Sequence, residues 1–139
     1  MPQIDSYLFF DGNCAEAIKF YERALGAKLE MMMKGSEAPG AEKMPPGSAN
    51  KILHARLTLG DGRALMASDW MDTRPYPGMS GFAVSIGFTK VADAKRVFDA
   101  LAQGGKVNMP MDKTFWSQAF GMLVDRFGTP WMVSGPAAS

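Results

Sequence analysis

The sequence predicts an α+β fold. It consists of two copies of a strand–helix–strand–strand–strand unit, paired into a curved, cup-like mixed sheet with the helices on the outside. Three observations predict it. The order of apolar patterns over about residues 4–70 recurs over about 81–135. The two helical stretches close alike, as Phe20-Tyr21-x-x-Ala24-Leu25-Gly26 and as Phe98-Asp99-x-Leu101-x-x-Gly104. Most of the remaining apolar runs are short and alternate with period two, as half-buried strands do. The 139 residues are expected to form a single domain of these two repeats.

In the first repeat, Ile4 to Phe10 alternates as a strand, with Ile4, Ser6, Leu8 and Phe10 on one face and Asp5, Tyr7 and Phe9 on the other. Apolar groups on both sides predict that both faces are covered. Asp11-Gly12-Asn13 ends it. Asn13 with Glu16 three residues on reads as a capping box, opening a helix over Cys14 to Leu25 whose Ala17, Ile18, Tyr21 and Leu25 form one stripe. Gly26 is placed to end that helix in the left-handed conformation. Ala27 to Lys34 is the second strand. Gly35 to Asn50 is a long loop rich in Gly, Pro, Ala and Ser, either a lid or a surface excursion. Ile52 to Leu59 and Arg63 to Asp69 form a hairpin about Gly60-Asp61-Gly62. His54 and Arg56 share one face of its first strand. Met66 and Ser68 alternate with Leu65, Ala67 and Asp69 on its second.

Trp70 to Ser80 reads as a linker in which Trp70 plugs an interface. Gly81 to Thr89 is the next strand, and Thr89 caps a helix over Val91 to Leu101 that Gly104-Gly105 ends. Lys106 to Met111 precedes a closing aromatic hairpin, Met111 to Gly135, turning at Asp125-Arg126-Phe127-Gly128. Trp116 and Trp131 are expected to line a ligand pocket beside Gln118, or else to fill the core. Cys14 is expected to be buried and structural.

Composition excludes several functions. A net charge of +1 with no basic stripe gives no footprint for nucleic acid. No apolar run approaches the roughly 20 residues of a spanning helix, and no signal peptide opens the chain, so a cytoplasmic location is expected. One Cys and one His cannot build a Cys/His zinc site within one chain. Twelve Met residues suit an adaptable apolar wall.

Phe10-Asp11-Gly12-Asn13-Cys14-Ala15-Glu16-Ala17-Ile18-x-Phe20-Tyr21 resembles the first helix of the PhnB-like branch of the vicinal oxygen chelate superfamily. Thr114-Phe115-Trp116 and Asp125-Arg126-Phe127-Gly128-Thr129-Pro130-Trp131 resemble that branch's closing signature. The superfamily includes glyoxalase I, extradiol dioxygenases, and fosfomycin and bleomycin resistance proteins. The resemblance implies paired βαβββ units, a homodimer, and a small-molecule pocket in the cupped sheet. In metal-dependent members, His, Gln or Glu side chains from the first and last strands of each unit hold a divalent ion. Here those positions fall near Ser6, near Met66 or Ser68, near Gly81 or Phe82, and near Met132. None is a His or a carboxylate, and a thioether is a poor ligand for the metals concerned. No cofactor is therefore expected, and the glyoxalase-type reaction loses its Lewis acid. Some members of the branch are labelled ubiquinone-pathway methyltransferases, but the chain has no Gly-rich cofactor loop of the Rossmann type.

The polar groups that remain for a pocket are His54, Arg56, Ser68, Asp69 and Gln118. His54 and Asp69 are the candidate general bases, and Trp116 and Trp131 the candidate stacking platforms for a flat or cationic ligand. The expected function is metal-free binding of a small molecule, of the kind bleomycin resistance proteins perform. The alternatives are a glyoxalase-type lyase or isomerase, or a related metal-dependent enzyme, and a non-catalytic homodimeric scaffold.

Overall fold

A computed structural model describes residues 2–139. The chain divides into two compact units, Met1–Gly78 and Met79–Ser139. Each is a four-stranded mixed sheet with one α-helix, so the class is α+β as the sequence predicts.

The first unit runs β1 (Ser6–Phe10), α1 (Cys14–Leu25), β2 (Lys28–Lys34), β3 (Ile52–Thr58) and β4 (Ala64–Asp69). Its strand order is β1-β4-β3-β2, with β1 and β4 parallel and the other neighbours antiparallel. The alternation of β1 places Leu8 and Phe10 in the core, where Phe10 meets Tyr21 of α1 with ring centroids 6.2 Å apart. Ala17, Ile18 and Tyr21 of α1 and Ala55, Leu57 and Ala67 of the sheet are fully buried or nearly so. Each large apolar side chain removed from water here contributes about 1.5–3 kcal/mol. Gly26 ends α1 with φ 65°, and its N–H donates to the Glu22 carbonyl.

The start of α1 differs from the expectation. Asn13 occupies the N-cap position but its side chain makes no cap hydrogen bond. Instead, Asp69 at the end of β4 reaches the helix: Cys14 N–H donates to Asp69 Oδ1 at 2.9 Å, and Ile52 N–H donates to Asp69 Oδ2 at 2.8 Å. An ionised carboxylate at a helix N-terminus is a stronger acceptor than an amide, and it complements the helix dipole.

The long loop is structured. Two short 3-10 turns, Gly35–Glu37 and Ala41–Lys43, punctuate it. Gly35 N–H donates to the Lys51 carbonyl at 2.9 Å and Ser36 N–H to the Ala49 carbonyl at 3.1 Å, so the loop closes on its own base. A Cβ at Gly35 would run into the Ser48 carbonyl, and this close approach explains the glycine. After β4, Trp70 packs within its own unit: its rings lie edge-on to Phe9 and Tyr76, and Nε1–H donates to the Arg74 carbonyl at 2.8 Å.

The second unit runs β5 (Val84–Gly87), α2 (Val91–Ala102), β6 (Lys106–Asp112), β7 (Phe120–Val124) and β8 (Pro130–Ser134), in the order β5-β8-β7-β6. The strand expected over Gly81 to Thr89 is thus shorter. Lys90, not Thr89, sits at the N-cap of α2, without a side-chain cap. Arg126 Nε–H donates to the Gln103 carbonyl at the other end, a cation placed where the helix dipole is negative. The closing aromatic stretch is not one hairpin. Met111 and Asp112 belong to β6, and β7 begins only at Phe120, so Phe115 and Trp116 lie on the connection. The turn itself is as expected, with Gly128 at φ 92°. Among the described residues, no helix is long and apolar enough to cross a membrane.

Candidate functional site

Strand alternation assigns every side chain of the first sheet to one of two faces. The face toward α1 holds Leu8, Phe10, Ala55, Leu57, Leu65, Ala67 and Asp69. The opposite face is laid out by the register. Tyr7 pairs with Met66, Met66 with Arg56, and Arg56 with Met31, giving one row across four strands. In the next row Phe9 pairs with Ser68, and His54 with Met33.

Polar chemistry on this face is concentrated in two contacts. The Tyr7 hydroxyl lies 3.1 Å from His54 Nδ1, with the rings stacked at 5.7 Å and 27°. In the neutral tautomer protonated at Nε2, Tyr7 is the donor, and the imidazole then presents an N–H to any ligand. Beside it, Arg56 Nε–H donates to Glu30 Oε1 at 2.9 Å, and an Arg56 Nη1–H points to Met66 Sδ at 3.8 Å. A β-bulge between Leu29 and Met31 supplies the extra residue, Glu30, that makes this ion pair. Aromatic groups continue the surface: Tyr7 and Phe9 are 5.1 Å apart, and Phe9 meets Trp70 edge-on at 5.7 Å. Tyr7 and Phe9 are 39% and 45% exposed, so the prediction that β1 is covered on both faces is corrected. The arrangement combines two side chains able to donate hydrogen bonds, exposed π surface and thioethers, a combination suited to a flat ligand bearing an acceptor or an anionic group.

The residues singled out in the sequence fall into three places. His54, Arg56 and Ser68 are together on this face, Ser68 being buried. Asp69 is not with them. It is on the α1 side, 2% exposed, with both carboxylate oxygens engaged by backbone amides, and its observed work is to hold the helix start. Trp116, Trp131 and Gln118 lie in the second unit. Trp131 is 1% exposed, and its Nε1–H donates to Asp125 Oδ2 at 2.8 Å. Asp125 Oδ1 also accepts the Phe127 and Thr129 amides, so this tryptophan is fastened into the core at the turn. Trp116 is half-exposed and packs edge-on against Phe120 at 5.3 Å. Phe120 is on the sheet face opposite Trp131, because residues 131 and 133 alternate with 132 and 134 in β8 and Phe120 pairs with Ser134. The two tryptophans therefore do not share a wall. Gln118 Nε2–H donates to the Ala137 carbonyl, outside any strand.

Sequence reading missed Tyr7, Phe9 and Glu30. The first two were legible from alternation alone, since residues 7 and 9 take the parity opposite the buried Leu8 and Phe10. Glu30 depends on a bulge, which no pattern in the chain announces.

The first and last strands of each unit also permit a test of donors. Ser6 lies on the α1 side with Leu8 and Phe10, so the outward position of β1 is Tyr7, paired with Met66. Gly81 and Phe82 precede β5, whose outward residue Ser85 pairs with Met132. Neither the phenol and thioether of the first unit nor the hydroxyl and thioether of the second is a donor set that fits a hard divalent ion. Among the described residues, no three His, Cys, Asp or Glu side chains are grouped to hold a metal.

Cys14 is fully buried at the start of α1. Burial, reinforced by the Asp69 charge, pushes its thiol up to about 12, which leaves it an inert core group.

Known proteins support the same architecture. Residues 3–133 match the model of the Glyoxalase/Bleomycin resistance protein/Dioxygenase superfamily. The chain is 38% identical to Protein YjdN of Escherichia coli (strain K12), over 96% of this chain and 95% of that one. It is similar to the crystal structure of protein PA1353 from Pseudomonas aeruginosa, with a TM-score of 0.89 and 45% identity over 97% and 98% of the two chains. It shares the fold of the PhnB protein from Bacillus cereus, with a TM-score of 0.77 and 24% identity over 96% and 99%. Two βαβββ units, the family match over nearly the whole chain and these relatives agree: the chain belongs to the glyoxalase/bleomycin resistance protein/dioxygenase superfamily, in its PhnB-like branch.

Proposed function

We infer that this protein binds a small molecule on the face of the first sheet turned away from α1, without the superfamily's usual metal chemistry. The observation that carries the reading is the Tyr7–His54 contact, set beside the Arg56–Glu30 pair and among Phe9, Met31 and Met66. His54 and Arg56 supply donors to an acceptor or anionic group, while Tyr7 and Phe9 offer π surface to a ring. Tyr7 fixes the orientation of the imidazole. Asp69 takes no part in binding, and Trp131 serves the core. The protein acts as a homodimer in the cytoplasm, a setting in keeping with one free, buried thiol. A monomer by light scattering at micromolar concentration would contradict the dimer.

The test is a thermal-shift screen of flat aromatic carboxylates and phenols on the wild type, His54→Ala and Arg56→Ala. Compounds that stabilise the wild type in proportion to their concentration, and lose that effect in both variants, are expected. Equal stabilisation of all three proteins would move the site elsewhere.

The Tyr7–His54 contact also favours a second reading, an enzyme in which His54 is the general base. Turnover of a bound compound that disappears in His54→Ala while binding survives would place it first. Binding without turnover leaves the sequestering reading in front.

A further inference from the structure

The second sheet carries a separate group of potential ligands that the binding face of the first sheet does not use. Met109 on β6 pairs directly with Met122 on β7, and Met122 pairs directly with Met132 on β8. Gly121, Leu123, Trp131 and Val133 take the opposite parity and face α2: a Cβ at Gly121 would strike the Phe98 ring of that helix. The three methionines therefore stand in one row on the face turned away from α2. They are not core residues. Met109 is 43% exposed, and Met122 and Met132 are partly exposed. Register shifts flank Met109 on both sides, between Val107 and Met109 and between Met109 and Asp112, which lets its side chain be aimed separately from the rest of β6. Directly opposed residues on neighbouring strands have Cβ atoms about 4.5–5.5 Å apart, within the reach of flexible thioether side chains converging on one point. Methionine is not a preferred strand residue; Val, Ile and Thr fill such positions more readily.

We propose that Met109, Met122 and Met132 form a thioether site for a soft monovalent cation, Cu(I) or its redox-inert analogue Ag(I). Thioether sulfur selects such ions over Zn(II), Ni(II) or Mn(II), which prefer nitrogen and oxygen donors. Binding is a plain coordination: three neutral sulfur lone pairs enter the ion's shell, no proton is released, and no electron moves. It therefore does not weaken with acid in the way thiolate or imidazole sites do.

The test uses the full chain labelled with methyl-¹³C methionine, titrated with silver nitrate in thiol-free, chloride-free buffer. Up to one equivalent, the methyl signals of Met109, Met122 and Met132 are expected to move together while those of the remaining methionines stay. The shifts persist in Cys14→Ala and at pH 5. Met122→Leu, at the centre of the row and similar in volume, abolishes them with an unchanged circular dichroism spectrum, and Met132→Leu does the same if the first variant folds poorly. Zinc and nickel salts leave the three signals in place. Silver bound only through Cys14, movement of Met31 or Met66 instead, or full binding in both leucine variants would overturn the proposal.

Discussion

The two units share a strand order, a helix position and a pairing pattern, yet their outward faces carry different chemistry. The central row of the first sheet reads Tyr7, Met66, Arg56, Met31; that of the second reads Ser85, Met132, Met122, Met109. On the helix side, Leu8, Phe10, Ala55, Leu57 and Ala67 of the first sheet and Leu123, Trp131 and Val133 of the second are apolar and buried. The comparison shows which positions the repeat constrains. Residues toward the helix must fill a core, and their identities follow from volume. Most residues on the other side are released from that demand, although Ser68 and Phe120 are buried there. In the first unit they collect an imidazole, a phenol and an ion pair, and in the second they collect thioethers. A second difference concerns how each unit fastens its chain. The first uses Asp69 to join a strand end to a helix start, and the second uses Asp125 to lock a turn onto Trp131. Among the described residues, no buried polar side-chain atom is left without a partner, so both carboxylates are fully satisfied.

The sharpest way to break this comparison is to remove the two carboxylates. Asp69→Ala strands the Cys14 and Ile52 amides, and Asp125→Ala strands two amides and the Trp131 indole. Each is expected to cost about 3 kcal/mol or more in urea denaturation, and a loss below about 1 kcal/mol in either would refute its structural role. Gly121→Ala comes next. The added methyl meets Phe98 and the Met111 backbone, and about 1–3 kcal/mol of overpacking is expected; a neutral result would mean that the α2 side of β7 is looser than described. A smaller effect separates the units by pH. The Cys14 thiol stands at about 12 against an ordinary 9.0, so the folded state favours the protonated form. Its contribution is whole below pH 9.0 and is lost as the pH rises toward about 12. Wild-type stability should decline over that window more steeply than that of Cys14→Ala, and parallel curves would contradict it. Smallest of all, His54→Ala and Arg56→Ala should each change stability by less than about 1 kcal/mol, because both groups are partly exposed and lie outside the core.

Much of the fold was legible. Period-two alternation located the strands, and the repeated helix endings revealed the duplication. Gly26 and Gly128 announced their turns, whereas apolar groups on both sides of β1 suggested two covered faces and only the one with Leu8 and Phe10 is buried. The site was legible only by half. His54, Arg56 and Ser68 fall together because they share parity on adjacent strands, a local property. Asp69 was grouped with them as a polar strand residue, although the same parity puts it on the other face. What no local pattern reveals is its partners, amides from residues 14 and 52 that only the folded sheet brings together. Trp131 and Trp116 misled for a related reason. Aromatic density does not say which ring is fastened to a buried carboxylate and which lies on a connection, as Phe115 does at 90% exposure.

The most direct test of the binding face is a two-dimensional amide and imidazole NMR titration of the wild-type protein with benzoate, salicylate and quinoline-2-carboxylate. Saturable shifts centred on Tyr7, Phe9, His54 and Arg56, with the second sheet's outward row unmoved, are the predicted result. Shifts centred on other residues, or none with any of the three compounds, would contradict the assignment of this face to a flat, anion-bearing ligand.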